Sequence, residues 1–144
     1  MPPSDEKRAD SVEKRIDSTS PSSARVYDVF VGGKDNYEVD REVYRKVLEI
    51  APEAADGGRL CRDWLIRVVR FLARHARLDQ FLDLGAGLPT AENTHQAAQR
   101  INPEAETVYV DNDPVVAAHG RALLEENHRT HFAAEDLARP EALL

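Results

Sequence analysis

The sequence predicts an α/β fold in which a helical N-terminal extension leads into a parallel sheet that breaks off after about three strands. Two observations carry this. From residue 80 onward, short apolar runs alternate with helix-length amphipathic stretches, the pattern of right-handed βαβ units. The first run ends in a glycine-rich turn, Asp83-Leu-Gly-Ala-Gly87, and the second ends in an acid, Asp111. Strand, glycine turn, helix, strand and acid, in that order, is how a parallel sheet grips an adenosine-containing ligand at its strand ends.

Residues 1–20 are rich in Pro, Ser, Asp, Glu, Lys and Arg, with Val12 and Ile16 as the sizeable apolar groups, and read as a disordered tail. A helical segment over 21–79 follows. Ser22 to Val31 reads as a capped helix broken by Gly32-Gly33, and a second helix over about 39–50 stops before Pro52. The third, about 59–77, is the most periodic, with Leu60, Trp64, Val68 and Leu72 recurring every four residues as its apolar stripe and Leu65, Val69 and Phe71 widening it. Arg62, Arg67, Arg70 and Arg74 fall mostly on the other side and read as a solvated face. Beyond residue 80, strands are expected at about 80–84, 107–110 and 130–133, with helices at about 91–100 and 114–127. Pro114 suits a first helical turn, where its missing N–H costs nothing.

The spacing of the turn narrows the ligand. Gly85 and Gly87 fit the first two positions of GxGxxG, but Thr90 stands at the third, which lowers the odds for a dinucleotide such as NAD. A P-loop is excluded because no Gly-Lys-Ser/Thr follows. What remains is a DxGxG turn, Asp83 to Gly87, resembling the first motif of S-adenosylmethionine-dependent methyltransferases. Asp111 has the acceptor-only chemistry to take both ribose hydroxyls. Asp136, after the third apolar segment, can accept from an adenine amino group, with the backbone of Leu137 near the ring edge. Taken singly, each acid is equally an ordinary turn or cap residue.

Over residues 22–144 the chain resembles an S-adenosylmethionine-dependent methyltransferase family of unassigned substrate, abundant in actinobacteria and once catalogued as a domain of unknown function. The resemblance rests on Ala24 to Asn36, Asp40-Arg41, Gln80 to Thr90, Val108 to Val116 with His119, and Asp136. It implies a Rossmann-like class I methyltransferase fold, of which residues 80–144 would be the N-terminal half. It also implies S-adenosyl-L-methionine as cofactor, held by Asp83, Gly85, Ala86, Gly87, Asp111, Asn112, Asp136 and Leu137. The acceptor is unknown and expected to be a small molecule. Tyr27 and His95 are weak catalytic candidates; the block from Tyr27 to Asn36 either covers the cofactor and lines the acceptor pocket or simply ends a helix. The chain departs from the family pattern at Arg62, where the third helix carries asparagine, and at Ala86, which replaces a hydroxyl residue. An alternative is a truncated cofactor-binding module without turnover.

Composition limits the partners. At 144 residues the chain is one domain at most, and a net charge of −7 argues against a nucleic-acid backbone as partner. The one cysteine, Cys61, allows no intrachain disulfide and no CxxC metal clip, and no metal is expected. No apolar run approaches the roughly 20 residues of a membrane span and no signal-peptide core is seen, so a cytoplasmic protein is expected, as a monomer or homodimer.

Overall fold

The computed structural model describes residues 16–142. Most of the expected disordered tail, residues 1–15, lies outside them; residues 16–20 are irregular and exposed.

Among the described residues, five α-helices, a three-stranded sheet and a last 3-10 turn at Pro140–Ala142 follow in chain order. The helices and strands are α1 (Ser23–Phe30), α2 (Glu38–Ile50), α3 (Ala54–Phe71), β1 (Gln80–Leu84), α4 (Thr94–Gln99), β2 (Glu106–Val110), α5 (Pro114–His119) and β3 (Thr130–Ala133). Two of the helices run on into a wider π-helical turn: α3 through Leu72–Ala76 and α5 through Gly120–Leu124. The three strands are parallel in the order β1-β2-β3, with Gln80 opposite Glu106 and Thr107 opposite Thr130. That order leaves one edge of β1 without a partner strand among the described residues.

Local chemistry explains the boundaries. Ser22 caps α1 by accepting from the Arg25 amide. Asp113 caps α5, its Oδ1 accepting from the amides of Val115 and Val116, with Pro114 in the first turn as expected. The predicted 91–100 helix starts later, at Thr94, because residues 90–93 are held in a loop by tertiary bonds described below.

Two small cores hold these elements together. One joins Ile66 and Val69 of α3 to Ala97 and Ala98 of α4 and to Ala105, with Phe81 of β1 against it. The other joins Leu88 to Val115 and Val116 of α5, with Ala24 and Phe132 alongside. On β1, Phe81 and Asp83 turn toward the helices, whereas Leu82 (62% exposed) and Leu84 (52%) point away from them.

The packed face of α3 matches the expected stripe only in part. Its buried residues are Gly58, Ile66 and Val69, continued by Ala73; of the predicted stripe Val69 is buried and Leu65, Val68 and Leu72 are half-buried, while Leu60, Trp64 and Phe71 are exposed. The helix is apolar on two sides. The side that packs is the one whose small residues permit close approach.

Gly57 and Gly58 make this testable. A Cβ on Gly58 would lie 2.7 Å from Phe30 Cβ and 3.2 Å from the Phe30 carbonyl carbon, whereas one on Gly57 would meet nothing within 4 Å. Alanine recovers up to about 1 kcal/mol of helix propensity at either site. At position 58, overpacking against a fixed backbone costs about 1–3 kcal/mol and outweighs it. Denaturant titration should therefore find Gly57→Ala stabilised and Gly58→Ala destabilised.

Candidate functional site

The glycine turn is tied to the end of β2 by three successive amides. Gly85 and Ala86 N–H both donate to the Val110 carbonyl, at 2.8 and 3.1 Å, and Gly87 N–H donates to Asp111 Oδ2 at 2.9 Å. Gly85 and Gly87 adopt φ of +74° and +67°, the left-handed region where a side chain is strained. A Cβ on Gly87 would meet nothing within 4 Å, and one on Gly85 would meet only Leu137 Cδ1, at 3.9 Å. The space over the turn is therefore open, and Leu137 borders it from the loop after β3.

Asp111 closes the other side. Besides Gly87, its Oδ1 accepts from the Asp113 amide at 2.9 Å, and the side chain is half-buried. Each carboxylate oxygen keeps one lone pair beyond these bonds. Asn112 is exposed beside it. Asp136 behaves partly as the turn residue of the plainer reading: its Oδ1 accepts from the Ala138 amide, leaving Oδ2 without a protein donor among the described residues. The fold thus gathers Gly85, Gly87, Asp111 and Leu137 at the C-terminal ends of the strands. Asp83, by contrast, faces the helices and accepts from the buried Thr94 hydroxyl at 2.6 Å.

Those bonds also bear on a dinucleotide. A pyrophosphate needs backbone N–H groups and a helix N-terminus at the turn. Here the amides of residues 85–87 already have acceptors, and α4 begins seven residues after Gly87.

The two catalytic candidates are both engaged elsewhere. His95 is fully buried, its Nδ1 2.7 Å from the Tyr109 hydroxyl and its Nε2 3.3 Å from Glu126 Oε2. The same hydroxyl accepts from the His95 amide at 2.8 Å, so Tyr109 caps the first turn of α4 from across the sheet. The hydroxyl and Nδ1 share one hydrogen bond, and Nε2, buried, has no hydrogen-bond partner among the described residues. Burial pushes the Tyr109 phenol well above its ordinary value, and it stays a neutral hydroxyl. Tyr27 donates to the Gly58 carbonyl at 3.1 Å and joins α1 to α3. Burial raises its phenol too, with Cys61 adding to the rise and Arg62 opposing it.

The block after Tyr27 folds around a buried acid. Asp28 Oδ2 accepts from the Asp35 amide and from Asn36 Nδ2, at 2.9 and 2.8 Å, so residues 32–36 form a fixed turn with Lys34 exposed. A second buried acid, Asp40, pairs with Arg25 at 2.8 Å; the two are 0% and 3% exposed.

The arginine row is not a solvated face throughout. Arg62 Nε donates to Thr90 Oγ1 at 2.9 Å, and its Nη2 donates to the Glu92 carbonyl and Asn93 Oδ1 at 3.1 and 3.2 Å. Arg70 Nη2 reaches both oxygens of Glu92, at 2.8 and 2.7 Å. Together they fix the loop between the glycine turn and α4. Arg67 and Arg74 are exposed, as expected. Sequence reasoning missed these anchors because their partners lie 22–31 residues away, with no local pattern to mark them.

Comparison with known proteins agrees with this geometry. A family described as S-adenosyl methyltransferase matches residues 9–144. A solved structure of a candidate methyltransferase from Thermobifida fusca is 48% identical, with a TM-score of 0.84 over 87% of this chain and 47% of that one. A DUF574 family protein from Streptomyces avermitilis is 41% identical, with a TM-score of 0.85 over 90% of this chain and 50% of that one. The chain spans about half the length of both. No curated protein matches it significantly. The three parallel strands with flanking helices match both solved structures as an α/β, Rossmann-like sheet. Fold, turn and family match agree, and the chain belongs to the S-adenosyl methyltransferase family.

Proposed function

We propose that this chain forms the cofactor half of a methyltransferase that uses S-adenosyl-L-methionine and methylates a small-molecule acceptor. The observation that carries the reading is the open, positive-φ glycine turn locked to Asp111 at the strand ends. Such a cradle fits a cofactor with no phosphate: the turn gives close backbone approach and Asp111 gives carboxylate acceptors.

In this reading Gly85, Ala86 and Gly87 lie beneath the methionine part of the cofactor. Asp111 accepts ribose hydroxyls through its remaining lone pairs, with Asn112 at the rim. Asp136 Oδ2 and the backbone of Leu137 meet the adenine edge. Asp83 supports from behind, through Thr94. When bound, the cofactor supplies an electrophilic methyl group for in-line transfer. The protein's part is positioning, which can contribute roughly 7–11 kcal/mol when geometry is ideal. Neither Tyr27 nor His95 is assigned as a base, since a base must reach the proton it removes and both already have protein partners.

The test is calorimetric titration with S-adenosylhomocysteine. Asp111→Ala is expected to weaken binding by roughly 10- to 100-fold, the range for losing hydrogen bonds to a charged group. Unchanged affinity would remove Asp111 from the site. Binding of a nicotinamide dinucleotide in its place would overturn the methyltransferase reading.

A further inference from the structure

A cavity of about 540 Å³ lies between α3 and the loop that follows the glycine turn, within the size range of small-molecule sites. The C-terminal end of α1 reaches it at Val31, Ile66 adds apolar surface from α3, and Thr90 to Glu92 form the wall nearest the turn. Four arginines line it: Arg59, Arg62, Arg67 and Arg70.

The charges of these arginines are unequally matched. Arg70 is neutralised by Glu92. Arg62 gives its hydrogen bonds to Thr90, the Glu92 carbonyl and Asn93, which are neutral acceptors, so its charge has no carboxylate partner. Arg59 and Arg67 make no hydrogen bond or ion pair among the described residues, and the cavity's other acid, Asp63, is bonded to neither. In a chain whose net charge is −7, this places three uncompensated guanidinium groups against one acid around a partly apolar hollow. Planar guanidinium forks match carboxylates, and low-dielectric walls strengthen the field between them.

Resting on the methyltransferase reading above, we propose that this cavity receives the methyl acceptor and selects one that carries a carboxylate on an apolar body. Val31 and Ile66 take the body. Arg59 and Arg67 take the carboxylate, and Arg62 adds its field from the wall. The cavity is built partly by Thr90, three residues after Gly87, which sets the acceptor beside the turn that cradles the cofactor.

The 144-residue chain would be titrated with benzoate and with benzamide, its neutral counterpart, in the presence and absence of S-adenosylhomocysteine. The same titrations would use an Arg59→Gln, Arg67→Gln double variant, checked by circular dichroism; both residues are exposed, so the fold is expected to survive. Benzoate is expected to bind at least about tenfold more tightly than benzamide, and the double variant to lose that advantage while keeping its S-adenosylhomocysteine affinity. Benzoate that binds no better than benzamide, or equally well to the double variant, overturns the proposal and leaves the cofactor reading standing.

The cofactor's own carboxylate is the other source of this chemistry. If the double variant loses S-adenosylhomocysteine but keeps 5′-methylthioadenosine, which has no carboxylate, the cavity serves the cofactor and the acceptor assignment falls. If benzoate binds and S-adenosylhomocysteine does not, the methyltransferase reading fails and takes the acceptor role with it.

Discussion

Arg25→Met is expected to remove about 3–5 kcal/mol of folding stability, the usual result of stripping one partner from a buried ion pair. Asp40 would then stand 0% exposed without its cation. Arg25 packs over the Tyr37 ring at 5.0 Å, and Asp40 also accepts from the amides of Ser22 and Tyr37. The pair therefore ties the start of α1 to the start of α2.

The pH dependence has a definite sign. Burial pushes the Asp40 carboxyl up, but Arg25 and the two amides together outweigh it and hold it below the ordinary aspartate value. A group depressed in this way contributes stability above its unfolded pKa and loses it as pH falls through the folded one. The gap between wild type and Arg25→Met should accordingly be full at neutral pH and narrow as the pH falls below the ordinary aspartate value of about 4 toward the lower folded one. Denaturant midpoints across that range measure it; a gap independent of pH would mean that packing of the guanidinium on Tyr37, rather than the ion pair, carries the loss.

Tyr109→Phe is the second large effect, expected at about 2–4 kcal/mol for an isosteric change that removes one oxygen. That oxygen satisfies both the His95 amide and His95 Nδ1, in a place closed to water. Each group left without a partner costs about 1–3 kcal/mol, less what a tautomer change recovers at the ring. Hydrogen exchange gives a local readout. The His95 amide should lose protection in the variant by more than the amides of β1, whereas a uniform drop would show that Tyr109 contributes only to global stability.

What could be read from the sequence differs by element. The strands were legible almost to the residue, since Phe81 to Leu84, Thr107 to Val110 and Thr130 to Ala133 are short apolar runs bounded by turn residues. So was the glycine turn with Asp111, because a positive-φ glycine and an acid at a strand end leave local marks. The packed side of α3 was legible only in part: Leu65 and Val69 of the expected stripe do pack, but Leu60, Trp64 and Phe71 match that stripe as well and are exposed, and periodicity cannot say which side finds a partner. Arg62 was misread for the same reason, since its acceptors are supplied by tertiary structure. Tyr109 did leave a usable signal. A tyrosine inside a strand expected to be buried needs a partner for its hydroxyl, and the polar first turn of the next helix back offered one. The continuation of α3 and α5 into π-helical turns has no signature that distinguishes it from a longer α-helix.

The exposed side of α3 decides how this protein's unfolding can be followed. Trp64, the chain's one tryptophan, is already 59% exposed in the folded state. Its indole therefore emits from a largely aqueous surrounding before any denaturant is added, and its fluorescence should shift little across a transition that abolishes the sheet. Because Leu60, Phe71, Leu82 and Leu84 are also more than half exposed, unfolding releases less new apolar surface than the chain length suggests, and the heat-capacity change and denaturant slope should both be small for its size. A flat tryptophan trace from this protein would report where Trp64 sits rather than the absence of a fold.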